Sequence, residues 1–132
     1  MSSNDATAFY MKIVKIMVCK AQDVMTAIKI TKPGGPEVLS PIKMPLPTLD
    51  ENQILIKVAA AGINRPDVMQ RIGIYPPPKG VSEIPGLEVS GIVASIAPGV
   101  DGWNVGNQIC ALVAGGGYAE FCVAPYDTVL LF

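Results

Sequence analysis

From Met25 to Phe132 apolar and polar residues alternate with a period of two, in short runs broken by glycine and proline, which is the pattern of strands and turns. Ile28 and Ile30 alternate with Lys29 and Thr31 before Lys32-Pro33-Gly34-Gly35-Pro36 halts pairing, so the first element is one arm of a hairpin. Gln53 to Ala59 sets Ile54, Ile56 and Val58 on one face against Leu55 and Lys57, the pattern of a strand at the edge of a core. Its approach loop holds Pro45, Pro47 and Leu49-Asp50-Glu51-Asn52. A longer strand runs from Glu88 to Ala97 and stops at Pro98-Gly99; Gly91 inside it signals a bend or a close backbone approach. Two further strands, Gln108 to Val113 and Tyr118 to Val123, are joined by Ala114-Gly115-Gly116-Gly117.

The one clear helical candidate is Arg65 to Arg71. Asn64 stands where a cap belongs, and Asp67, three residues on, is placed to reach back to it. Short antiparallel strands with turns at this spacing predict a mainly β fold, a small barrel or sandwich, in preference to a doubly wound sheet.

Composition narrows the field further. The 132 residues suffice for one domain with a modest core, and with half of them hydrophobic and 16% charged the chain is not intrinsically disordered. The 13 glycines and 12 prolines agree with a turn-rich fold. A net charge of -1 with scattered cations offers no basic stripe, so nucleic acid is not an expected partner. Three cysteines without a Cys-x-x-Cys pair make no disulfide framework, which points to a reducing, cytoplasmic setting. Histidine is absent altogether, so chemistry here must use carboxylates, Tyr, Lys, Cys or a cofactor.

Residues 1–24 form a separate segment. Phe9 to Lys20 is apolar but broken by lysines, too interrupted for a membrane span or a secretory signal and without the arginines of a mitochondrial leader. We read residues 1–24 as a flexible extension or a start assigned too far upstream, with the domain occupying 25–132.

Two segments carry the chemistry: Gly62-Ile63-Asn64-Arg65-Pro66-Asp67 and Pro85-Gly86-Leu87-Glu88-Val89-Ser90-Gly91, separated by a proline-rich loop bearing Tyr75. From about Met25 to Phe132 they resemble the catalytic, GroES-like domain of the medium-chain dehydrogenase/reductase superfamily. Its zinc-dependent alcohol dehydrogenases place a Cys ligand at the position of Asn64 and a His ligand at that of Leu87. An amide and a leucine replace neither on a tetrahedral zinc, so the resemblance is to the zinc-free quinone oxidoreductase branch. It implies a GroES-like, partly open β-barrel with one or two short helices. The family's Rossmann domain is absent from these residues, which makes the chain the front portion of a longer reductase.

The implied activity is hydride transfer from NADPH to a quinone or conjugated carbonyl, without zinc. NADPH would be bound mainly by the missing domain, so this portion alone is expected to be inactive. Small quinones or enones are the expected partners, with no membrane, and the full-length protein can be a homodimer. By resemblance Asn64 and Tyr75 are the catalytic and substrate-binding candidates, Asn64 and Arg65 the cofactor-binding ones, and Asp67 and Glu88 structural carboxylates; no metal ligand is assigned. Asn64 also reads simply as a helix cap, and Tyr75 as an aromatic packed beside polyproline. Arg65 is placed either to pair with an acid or to meet a cofactor phosphate. Arg71 reads as a solvated helix end and Cys110 as an inert core thiol. Asn107 stands where relatives usually carry Asp, which weakens a turn.

Gly115-Gly116-Gly117-Tyr118-Ala119-Glu120 nearly matches a dinucleotide fingerprint, but Glu120 replaces the third glycine and a strand pattern follows where a helix is required. Two other classes of function compete with the reductase: a truncated, catalytically dead fragment, and a stand-alone binding or assembly module.

Overall fold

The structure, a computed structural model, describes residues 24–132; the reading of the preceding segment lies outside the described residues. Two short helices of the tight 3-10 type, one α-helix and seven strands follow one another, and every strand pairing is antiparallel among the described residues. The fold is mainly β, as the period-two pattern predicts.

Strand β1 (Val24–Ile30) turns through Pro36–Val38 into β2 (Leu39–Pro45), and the two form a hairpin of their own. β2 was not expected: Pro45 was read as part of the approach loop, and Pro41 interrupts the strand pattern. It pairs only with β1, and an outer edge with no ladder to complete tolerates proline.

The second sheet is ordered β6-β3-β4-β5-β7. Strand β3 (Gln53–Ala61) lies between β6 and β4, and it is not at the edge of the core as its alternation suggested: Ile54, Leu55 and Ile56 are buried in succession, so both faces are covered there. β4 (Glu88–Ile96) pairs along β3 with register shifts between Leu55 and Ile56 and between Val58 and Ala60. Gly91 faces Val58, and a side chain there would collide with the carbonyl of Lys57, which accounts for the glycine in mid-strand.

β5 (Gln108–Leu112) continues the sheet, and β6 (Phe121–Pro125) closes on β3. β6 starts three residues later than the alternation suggests, because Tyr118 to Glu120 bond largely elsewhere, although the Glu120 carbonyl still accepts the Val58 N–H of β3 at 2.9 Å. The Ile28 N–H donates to the Tyr118 carbonyl at 2.8 Å, the Glu120 N–H donates to that of Thr26 at 3.0 Å, and Ala27 bridges Ala119. These contacts tie the hairpin to the larger sheet and give the partly open barrel. After a turn at Tyr126–Thr128, the unexpected β7 (Val129–Leu131) adds to β5; three residues are too few to leave a readable alternation.

Ile54, Ile56, Val89, Val93, Ile109, Cys122 and Ala124 fill the interior, each at most 3% exposed. Cys122, not Cys110, is therefore the core thiol: Cys110 is only half-buried, on the opposite face of β5. The turn before β5 holds despite Asn107, whose side-chain oxygen accepts the Asn104 N–H at 2.8 Å as a carboxylate would.

Candidate active site

Helix α1 (Arg65–Arg71) has the predicted bounds and follows β3 after three residues. Asn64 is extended, with φ -120° and ψ 157°, the conformation of a cap, and Pro66 in the first turn forgoes an N–H that has no helical partner there. Asp67 accepts the Asn64 N–H on Oδ2 at 2.8 Å, and its own N–H donates to the Asn64 carbonyl at 3.0 Å. The far end of the helix is also anchored. Arg71 is not a solvated end: its Nε donates to the Gly34 carbonyl at 3.1 Å, and the Gly34 N–H donates to the Arg71 carbonyl at 3.1 Å.

Asp67 is the one buried charged residue among the described residues, 4% exposed. Burying a carboxylate is costly unless donors surround it, and three do. Besides Asn64, the Gly86 N–H donates to Oδ1 at 3.3 Å and the Tyr118 hydroxyl to Oδ2 at 2.9 Å. Burial, reinforced by the hydrogen bond and the negative charge of Asp67, pushes the Tyr118 phenol up to about 12, so it stays a donor throughout the neutral range.

Tyr118 is delivered by backbone contact. The Gly116, Gly117 and Tyr118 N–H groups donate to the carbonyls of Ile84, Gly86 and Pro85 at 2.7, 3.1 and 2.8 Å. The glycine run therefore exists for close approach, and those amides, already engaged, are not a phosphate cradle.

Glu88 opens β4 beside the end of β3, where the Gly62 N–H donates to its carbonyl at 2.9 Å. Its side chain leans over Gly62, where an added Cβ would stand 2.6 Å from Oε2, and accepts the Asn64 side-chain amide at 3.1 Å. One amide hydrogen of Asn64 is thus committed. The other remains to meet a ligand, while the amide oxygen faces the backbone of the first helical turn as a cap.

Of the candidates read from sequence, Asn64, Asp67 and Glu88 come together in one network. Tyr75, 47% exposed, and Arg65, exposed at the start of α1, have no side-chain hydrogen bond to it among the described residues. Tyr118 completes the network and escaped sequence reading; its sole signal was the glycine run before it. A groove of about 470 Å³ beside Ile63 and Tyr118 and another of about 450 Å³ beside Glu88, Cys110 and Leu112 flank the cluster. Among the described residues no three His, Cys, Asp or Glu side chains gather as a metal site, and no helix is long and apolar enough to cross a membrane.

Known proteins share this framework. The quinone oxidoreductase of Sus scrofa is 38% identical over 114 residues, 83% of this chain and 34% of that protein. The crystal structure of the human synaptic vesicle membrane protein VAT-1 homolog-like protein superposes with a TM-score of 0.75 at 30% identity, covering 82% of this chain and 35% of that one. A mycobacterial protein solved in complex with NADPH gives a TM-score of 0.71 at 37% identity, over 82% of this chain and 34% of that one. The chain spans about a third of the length of these relatives. The alcohol dehydrogenase GroES-like domain matches residues 50–132, and the chain belongs to that family, in the quinone oxidoreductase branch of the medium-chain dehydrogenase/reductase superfamily.

Proposed function

We propose that this chain is the substrate-side part of an NADPH-dependent quinone oxidoreductase that reduces a quinone or conjugated carbonyl without zinc. The observation that carries the reading is the Asn64 amide, oriented by Glu88 and left with one N–H to offer a ligand. The absence of zinc rests on the residue types: Asn64 and Leu87 stand where zinc-dependent relatives place their ligands, and neither side chain is suited to the metal.

NADPH, when bound, supplies the hydride. The Gly116, Gly117 and Tyr118 amides are engaged with carbonyls, so the glycine run is no pyrophosphate cradle, and this reading assigns the pyrophosphate to sequence outside this chain and the nicotinamide end to Asn64. What these residues do is bind and orient. The free Asn64 N–H donates to the acceptor oxygen as charge develops there, or to the nicotinamide ribose. Glu88 holds the amide plane, although its own charge disfavours a neighbouring oxyanion, so its benefit lies in orientation. Tyr75 offers an exposed ring on which a flat quinone stacks and a hydroxyl that donates to it. Arg65 is exposed beside Asn64 and serves the cofactor. A cytoplasmic setting and a homodimer of the full-length protein belong to this reading.

NADPH oxidation with a panel of small quinones tests it, using this chain, a polypeptide extended through the following reading frame, and Asn64→Ala in the extended form. Activity in the extended form alone, lowered by Asn64→Ala, supports the reading; activity in neither overturns it. A second reading is a non-catalytic binding or assembly module. Soluble, defined oligomers without quinone turnover would support that one.

A further inference from the structure

We infer that Asp67 and Tyr118 form a positioning pair for the Asn64 amide, an assignment that rests on the reading in which Asn64 meets the acceptor. The hydrogen bonds close a ring. Asp67 grips the Asn64 N–H with Oδ2 and the Gly86 N–H with Oδ1; two residues beyond Gly86, Glu88 accepts the Asn64 side chain. Asp67 therefore ties together the backbones from which both partners of the Asn64–Glu88 bond extend.

That bond needs such a frame. Glu88 is exposed, and an exposed hydrogen bond competes with water and contributes little orientation by itself. Asp67 is buried, its partners are backbone amides and one phenol, and its geometry is fixed by packing, which is what holds a site on a few side chains in a productive pose. Among the described residues Tyr118 contributes the only side-chain donor to the carboxylate. Its ring is fixed from behind by its own N–H on Pro85, one residue before Gly86, so the phenol and Gly86 approach Asp67 as one unit.

The pair is separable from the fold. Tyr118→Phe keeps the ring and deletes one donor, while the two amides on Asp67 remain. Asp67→Asn turns an NH2 toward one or two of the three donors and is expected to disturb the whole helix start.

The experiment uses the 132-residue chain labelled with nitrogen-15. Tyr118→Phe is expected to shift both Asn64 side-chain amide signals and to speed hydrogen exchange at the Asn64 and Gly86 backbone amides about tenfold. Exchange at Ile56 and Val93 in the core should stay unchanged, and Tyr126→Phe, at an exposed tyrosine, should move none of these. Unmoved Asn64 signals overturn the inference. Uniformly faster exchange that includes Ile56 and Val93 also overturns it, because Tyr118 would then be a stabilising contact only. In a parallel arm menadione is titrated into both chains, and its effect at the Asn64 side chain is expected to need about tenfold more quinone in the variant. Menadione that leaves Asn64 of the unsubstituted chain unaffected sinks the quinone reading, while the amide signals still decide whether Asp67 and Tyr118 set the position of Asn64.

Discussion

Gly117 donates its N–H to the carbonyl of Gly86 at 3.1 Å, and a Cβ added to Gly117 would stand 2.9 Å from the carbonyl carbon and oxygen of Gly86. The loop carrying Tyr118 and the loop carrying the Gly86 amide are thus in backbone contact, with no room for a side chain between them. Gly86 also has φ +103°, and its own Cβ would lie 2.7 Å from the Tyr118 nitrogen. Gly86→Ala is expected to lower unfolding free energy by about 2 to 4 kcal/mol, from strain and collision together. Gly80 has φ +86° with nothing within 4 Å, so Gly80→Ala should cost only about 1 kcal/mol. Urea unfolding of both variants separates collision from strain; equal losses would contradict the close approach.

Arg71 provides a second test. Its guanidinium and its carbonyl clamp Gly34 from both sides, which joins α1 to the turn that ends β1. Arg71→Ala is expected to destabilise by about 1 kcal/mol, and Arg71→Lys should recover little, since an ammonium cannot copy the Nε donor geometry. Thermal unfolding checks both; full recovery by lysine would reduce Arg71 to its charge.

What was legible in the sequence was local. Asn64, Pro66 and Asp67 lie within four residues and carry the cap, the first-turn proline and the reach-back, so α1 was found with its bounds. β4 was found because nine residues allow the period of two to show itself. β2 was hidden by Pro41 and Pro45, which are permitted only because that strand has a single neighbour, a fact of topology. In the site, Asn64 and Asp67 were marked by the cap pattern and Glu88 by the family resemblance, but Tyr118 lies 51 residues from Asp67 and no short-range spacing encodes their meeting. For the same reason Tyr118 to Glu120 passed for the start of β6, although their backbone groups serve Pro85, Ile28 and Thr26.

Glu88 separates orientation from charge. Glu88→Gln keeps an acceptor for the Asn64 amide, whereas Glu88→Ala removes it. Because the bond is exposed, both variants should match the parent in urea midpoint to within about 0.5 kcal/mol. Under the proposed function, quinone turnover in the extended protein should fall about tenfold for Glu88→Ala and by no more than about threefold for Glu88→Gln. Equal losses would mean that the negative charge, and not the direction of the amide, is what the site requires.

Stability should respond to alkaline pH through two groups whose protons the folded state holds more tightly than the unfolded chain. Burial raises the Cys122 thiol from its ordinary 9.0 to about 12. Burial, with Asp67 adding to it, raises the Tyr118 phenol from 10.0 to about 12. For a raised pKa the stabilisation is complete below the unfolded value and is lost as pH climbs through the folded one. The urea midpoint should therefore hold level up to about pH 9, decline first through Cys122, and decline more steeply above about pH 10 as Tyr118 joins. Cys122→Ala, compared with its own neutral-pH midpoint, should delay the decline by about one pH unit, and Tyr118→Phe should flatten its upper part. Alkylation provides an independent reading at pH 8: iodoacetamide with peptide mapping should modify half-buried Cys110 well before buried Cys122, which presents little thiolate and no access. A Cys122 that is labelled as fast as Cys110 would place the core open on the reaction timescale and remove the basis for the lower part of the pH profile.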